Sequence, residues 1–314
     1  MMFRRLSNFF TELKPRSCSA PHLPIAEVHS YEFYRYHTAQ NQENTLANWQ
    51  FEKSLVSDNL TEFSFRGFCY VCGITVDFKV DFQNHYKVNG ISMPNWRERL
   101  VCPKCHLNNR MRATIQIFNQ RYQPDRWSNI YLTEQTTLLY KWFEKKYDNV
   151  CGSEYLGTST DYGSINDKGM RNEDLTQLSF CNNRFDYILS FDVFEHIPNY
   201  KKALVECCRC LKPGGTLYFS VPFISTEEKN IIRAQITDTG EFIHLLPPEY
   251  HGNPLSSDGC LSFYHFGWEL IDDLNATGFD DAKALFYWSP ELGYLGQEQL
   301  MFAATKSQGS HMRT

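Results

Sequence analysis

Residues 185–222 read FDYILSFDVFEHIPNYKKALVECCRCLKPGGTLYFSVP. Tyr187 to Phe191 make a short, mostly apolar run of strand length between Asp186 and Asp192, the composition of a strand buried on both faces. EHIP ends it at the carboxyl edge. From Tyr200 the apolar residues fall at helical spacing, with Ala203, Leu204, Cys207, Cys208 and Leu211 on one stripe. Cys207 and Cys210 therefore read as small buried side chains rather than as ligands. KPGG then turns the chain into TLYFSVP, a second apolar strand. Two such strands joined through a helix lie parallel, since a parallel return needs a long crossover.

The same alternation extends outward. NIYLT (129–133), LLYKWFEKKY (138–147) and NVCGSEYLG (149–157) precede the decisive stretch. GWELIDDLNATGF (267–279), with Gly278 as its C-cap residue, then leads to the strand-like AKALFYW and QLMFAAT. Strands alternating with helices predict an α/β fold built from βαβ units with a parallel sheet.

Ahead of this unit, Phe63 to Tyr86 alternates in strand fashion around FCYVCG, VCPKCHL follows, and a helix is expected over 109–122. Cys69 and Cys72 form one CxxC pair, Cys102 and Cys105 a second. A CxxC turn presents two thiolates to one ion, and four thiolates complete a tetrahedral zinc site with no water position. Such an ion is structural and contributes folding free energy to a small N-terminal zinc-binding module. Residues 3–14, FRRLSNFFTELK, have helical amphipathic spacing, for which packing on a protein surface is the commoner use and a membrane surface the rarer one. Proline and polar residues from Lys14 to Ala26 read as a linker, and the Tyr-, Gln- and Asn-rich stretch that follows to about Asn59 shows no readable period. The expected organisation is 1–60 extension, 61–128 zinc module and linking helix, 129–306 α/β domain, and 307–314 tail.

The 185–222 stretch resembles the central signature of class I S-adenosylmethionine-dependent methyltransferases, and the broader resemblance runs from about 129 to 306. It implies a doubly wound, mostly parallel, seven-stranded sheet of Rossmann-like type, with a cofactor pocket at its carboxyl edge. In this family the loop after the first strand carries glycines. Here it is YLTEQTTLLYKWF, without one, and Glu134 takes the place facing the cofactor's amino group. Glu154 suits the acidic position that accepts both ribose hydroxyls. By resemblance, Asp174 receives the adenine amino group beside the Leu175 amide, while Ser190 and Asp192 border the methionine moiety.

Methyl transfer from a sulfonium needs alignment, plus a base when the acceptor is a hydroxyl. His196, in FEHIP, is the first candidate base. His251, in LLPPEYHGNPLSSDGCLSFYHFGWEL, is the second; Glu249 lies beside it, and His265 reads as a packing residue. The expected function is O-methylation of a small-molecule or glycan acceptor, using S-adenosylmethionine and structural Zn²⁺. The competing readings are an RNA or protein methyltransferase that grips its polymer through Arg97, Arg99, Lys104, Arg110 and Arg112, and a scaffold with a degenerate cofactor loop. A formal net charge of -5 disfavours nucleic acid. No run approaches the roughly 20 apolar residues of a transmembrane helix. The expected compartment is cytoplasmic, since eleven cysteines with CxxC pairs fit a reducing environment. The sequence carries no statement of oligomeric state.

Overall fold

The computed structural model describes residues 20–57, 60–237, 239–253 and 255–308. The amphipathic stretch at 3–14 and the end of the tail lie outside the described residues.

The decisive stretch folds as its pattern requires. Phe185–Phe191 and Leu211–Ser220 are parallel neighbours, joined through the helix Tyr200–Cys210. The Asn199 side chain caps that helix by accepting from the Lys202 amide at 3.1 Å. Ala203, Leu204, Cys207 and Cys210 are fully buried along its stripe. Gly214 has φ +77°, and a Cβ on Gly215 would meet the carbonyls of Lys212 and Asp186 at 2.9 and 3.0 Å, so the KPGG turn needs its glycines.

The central sheet runs, edge to edge, Ile25–Val28, Phe279–Ser289, Tyr294–Lys306, Leu211–Ser220, Phe185–Phe191, Asn129–Leu132, Asn149–Gly152. Helices cover both faces. Phe118 on Asn109–Tyr122 and Phe143 on Leu138–Lys146 pack with Leu132, Leu189 and Tyr218. Leu204 on Tyr200–Cys210 and Ile271 on Glu269–Ala276 pack with Ile188 and Phe219. Successive strand residues thus feed opposite cores, the arrangement of a doubly wound sheet. Truncating the fully buried Phe118 would cost about 3–5 kcal/mol.

The sheet differs from expectation in its balance. Three neighbouring pairs are parallel and three antiparallel, so it is mixed rather than mostly parallel. One cause is Ile25–Val28, which begins inside the expected linker and joins antiparallel to Phe279–Ser289. The other lies at the opposite edge. Beyond Gly152 the chain makes only isolated bridges, Glu154 with Asn172 and Ile165 with Arg171. Asn172 turns its side chain into the surrounding loop, donating to the carbonyls of Gly157 and Thr160 at 3.1 and 2.6 Å, and no further strand forms.

Two helices, Tyr31–Gln40 and Gln42–Ser54, fill the region that the pattern left unassigned. Glu52, fully buried, fastens the second to the Phe279–Lys306 hairpin. It accepts from Trp288 Nε1 at 2.7 Å and from the amides of Gly296 and Gln297 at 2.8 and 2.9 Å. The cysteine module has its own small core of Val76, Phe78, Val80, Met93, Trp96 and Leu100. Arg112 joins it to the sheet: its buried guanidinium donates to the carbonyls of Leu292, Gly293 and Leu100 and lies 3.9 Å from the Phe78 ring centre. No helix among the described residues is long and apolar enough to cross a membrane.

Candidate active site

The parallel strands end along one edge of the sheet, where a cleft of about 1730 Å³ opens. Glu134, Glu154, Asp174, Leu175, Asp192, His196 and His251 all line it. Ser190 does not: its fully buried hydroxyl accepts from Thr133 Oγ1 at 2.9 Å, beneath the cleft floor.

Glu154 is held by the glycine-free loop. Its Oε1 accepts from the amides of Gln135 and Thr136 at 2.8 and 3.0 Å and from Thr136 Oγ1 at 2.9 Å. A Cβ on Gly152 would fall 2.8 Å from the Glu134 carbonyl and into the Tyr140 ring. Burial pushes the Glu134 carboxyl up to about 7, against the pull of Arg110, and its Oε1 is buried with no hydrogen-bond partner. Asp174 Oδ1 accepts from the Thr176 amide and hydroxyl at 2.7 and 2.8 Å, and Tyr162 donates to Oδ2 at 3.3 Å.

Asp192 follows the strand end in left-handed backbone, φ +56°, a conformation that costs a non-glycine residue energy. The Ser220 carbonyl holds it there by accepting the Asp192 amide at 2.9 Å. Its carboxylate accepts from Arg97 Nη2 at 2.7 and 2.9 Å and from Ser220 Oγ at 2.8 Å, with Arg110 Nε 3.4 Å away. Burial alone would raise this carboxyl; Arg97 and Arg110 overcome it and hold it well below the usual carboxylate range. Glu98 ties the two guanidiniums together and accepts from Asn108 Nδ2 at 2.6 Å. The cysteine module thereby supplies charge to the cleft.

Across the cleft, the hairpin Tyr250–Asn253 and Ser256–Leu261 brings His251 beside His196, with ring centres 5.0 Å apart. His196 Nδ1 lies 2.8 Å from the Leu261 carbonyl. A carbonyl only accepts, so Nδ1 carries the proton and the neutral ring keeps its lone pair on Nε2. His251 Nε2 lies 3.0 Å from Glu249 Oε1. Glu249 also meets His265 Nε2 at 3.2 Å and Arg233 Nη2 at 3.0 Å, so His265 helps fix this carboxylate. Between the two histidines sits Glu195, fully buried, neither oxygen hydrogen-bonded. His251 Nδ1 and His196 Nε2 stand 3.5 and 3.6 Å from its Oε1. Burial pushes the Glu195 carboxyl up, while the two glutamates raise His251 to about 9.

The four module cysteines converge. Cys69 and Cys105 are 3.8 Å apart at Sγ, as are Cys72 and Cys102, and all four sulfurs lie within 4.8 Å of one another. Sulfurs about 2.3 Å from a tetrahedral ion stand roughly 3.8 Å apart, so the residues fit zinc. The arginines of the polymer reading are mostly engaged inward: Arg97 and Arg110 on Asp192 and Glu98, Arg99 on Asp81, Arg112 in the core. The sequence reading missed Glu195, although it adjoins His196 in the same motif, and did not connect Arg97 and Arg110 with Asp192.

Residues 136–219 match a family model described as a methyltransferase domain, a span containing Glu154, Asp174, Asp192, Glu195 and His196. A ubiquinone biosynthesis O-methyltransferase from Rhizobium rhizogenes is 26% identical over 91 residues, which cover 26% of this chain and 37% of that protein. The match therefore spans little more than a third of that relative's length. An S-adenosylmethionine-dependent methyltransferase from Mesorhizobium loti is 15% identical, covering 62% of this chain and 98% of that one, with a TM-score of 0.37. The 1,6-didemethyltoxoflavin-N1-methyltransferase of Burkholderia thailandensis, solved with 1,6-didemethyltoxoflavin and S-adenosylhomocysteine, is 16% identical, with coverages of 63% and 78% and a TM-score of 0.37.

Proposed function

We propose that this chain transfers a methyl group from S-adenosylmethionine to a hydroxyl of a small-molecule or glycan acceptor. One observation carries the reading: a single cleft joins the acidic residues suited to the cofactor to a histidine whose lone pair is fixed on Nε2 by the Leu261 carbonyl. S-adenosylmethionine supplies a methyl group on a sulfonium that is already a good leaving group. The chain's own part is to bind, align and deprotonate.

Glu154, prepositioned by the Gln135 and Thr136 amides, receives the ribose hydroxyls. Glu134 gives its unpaired oxygen to the amino group, and Asp174 with Leu175 takes the adenine. Asp192 shapes the methionine end while bound to Arg97. Phe223, Ile236, Phe242 and Tyr250 line the cleft's outer part and suit an acceptor with a flat or apolar face. The Glu195, His196 and His251 cluster is the centre that removes the hydroxyl proton. The four cysteines hold a closed, structural zinc.

Calorimetric titration with S-adenosylhomocysteine tests the cofactor site. Saturable binding, weakened at least tenfold by Glu154→Ala, is the expected result. No binding to the wild type would sink the reading in favour of a scaffold.

A further inference from the structure

We propose that Glu195, His196 and His251 together hold a divalent first-row transition cation, and that this ion activates the acceptor hydroxyl. The inference rests on the O-methyl-transfer reading above and replaces direct proton abstraction by this cluster with activation of the hydroxyl through the ion it holds.

Three separate features support it. The spacing is that of a ligand set: bonds of about 2.1 Å to a tetrahedral ion place donor atoms roughly 3.4 Å apart, and Glu195 Oε1 stands 3.5 and 3.6 Å from the two ring nitrogens. All three donor atoms lie within 4.8 Å of one another. Next, each imidazole has its outer nitrogen tied to an acceptor, Nδ1 of His196 to the Leu261 carbonyl and Nε2 of His251 to Glu249. In the neutral rings that pairing places the lone pairs on the inner nitrogens, His196 Nε2 and His251 Nδ1, the tautomer that metal-binding histidines use; a cation would displace the His251 proton. Finally, Glu195 is fully buried with neither oxygen hydrogen-bonded, a costly state for a carboxylate unless a cation completes it. Two imidazoles and one carboxylate suit zinc, cobalt, manganese or iron(II) better than magnesium or calcium, which prefer oxygen.

All three residues line the cleft, so a remaining coordination position faces the acceptor. An acceptor hydroxyl on the cation loses its proton more readily, and that proton leaves to solvent. The resulting oxygen forms the O–C bond as the C–S bond breaks, its electron pair staying on sulfur, which ends as a neutral thioether. The histidines then act as ligands rather than as bases.

Cobalt(II) titration of the zinc-replete full-length protein, followed by visible absorption, tests this. The expected result is one equivalent with d–d bands and no thiolate charge transfer, weakened at least tenfold in Glu195→Gln and in His251→Ala, both still binding S-adenosylhomocysteine. Absence of the bands in the wild type overturns the proposal without reference to any variant, as does an unchanged titration in both variants. Methyl transfer that survives chelation of this ion yet is lost in His196→Ala would overturn the cation and leave the free-base reading standing. Failure to bind S-adenosylhomocysteine would count against the methyltransferase reading instead.

Discussion

Glu134 carries a carboxyl pushed up to about 7 by burial, in a cleft where the proposed ligand brings an ammonium group. Binding would require the carboxylate, so affinity should fall as pH drops through that value. Between pH 8 and pH 6 the expected weakening of S-adenosylhomocysteine binding is about tenfold, with uptake of ligand releasing a proton at the lower pH. Calorimetry in buffers of different ionisation enthalpy would show both effects, and Glu134→Gln should abolish both. The places of Glu134, Glu154 and Asp174 on the cleft wall were legible, the first two because they follow strands Asn129–Leu132 and Asn149–Gly152, Asp174 by resemblance alone. Glu195 was not. Beside a histidine in a polar motif it reads as surface, and only the distant 250–261 hairpin buries it.

Among elements, the helix Gln42–Ser54 depends on one side chain. Glu52→Ala would leave the Gly296 and Gln297 amides and the Trp288 indole without their acceptor, an expected loss of about 3 kcal/mol in urea denaturation. The edge strand Ile25–Val28 has a similar anchor in Glu27, which pairs with Lys283 at 2.8 Å and with Arg121. Burial opposes ionisation there, yet the two cations lower the carboxyl from 4.5 to about 2. The folded value lies below the unfolded one, so this stabilisation is complete above about pH 4.5 and disappears as pH falls through 2. Glu27 is about a third exposed, so solvent screening limits the effect to about 1 kcal/mol. Denaturation of Glu27→Gln against wild type should show a difference at pH 6 that closes toward pH 2. Neither anchor could be read from periodicity. The helix Tyr31–Gln40 buries no residue, and both attachments are polar contacts with residues more than ninety positions away. Helix Asn109–Tyr122, by contrast, was legible because Ala113, Ile117 and Phe118 mark a buried face.

At the scale of the whole molecule, the cysteine module and the cleft are joined through Arg97, Arg110 and Asp192. Removing the proposed zinc should therefore do more than unfold a small appendage. It would release Arg97 and leave the Asp192 carboxylate short of charge. The expected outcome of chelation, or of Cys102→Ser, is a lower melting temperature together with S-adenosylhomocysteine binding at least tenfold weaker, read by calorimetry below the melting transition. Melting without loss of binding would mean that the two parts act independently. This coupling was hidden in the sequence because clustered arginines look like a solvated patch until the fold shows what each one faces.

The sheet also constrains the order in which a ribosome could deliver a working cleft. Leu211–Ser220 has its second neighbour only in Tyr294–Lys306, and Ile25 finds its partner in Tyr287. Until the Phe279–Lys306 hairpin has left the exit tunnel, the strand beside the cleft remains an open edge and the early strand has nothing to pair with. A nascent chain halted before that point would present an apolar, unpaired border suited to illegitimate pairing with its neighbours. Chaperone demand should therefore persist until the hairpin emerges and fall abruptly once it closes the sheet.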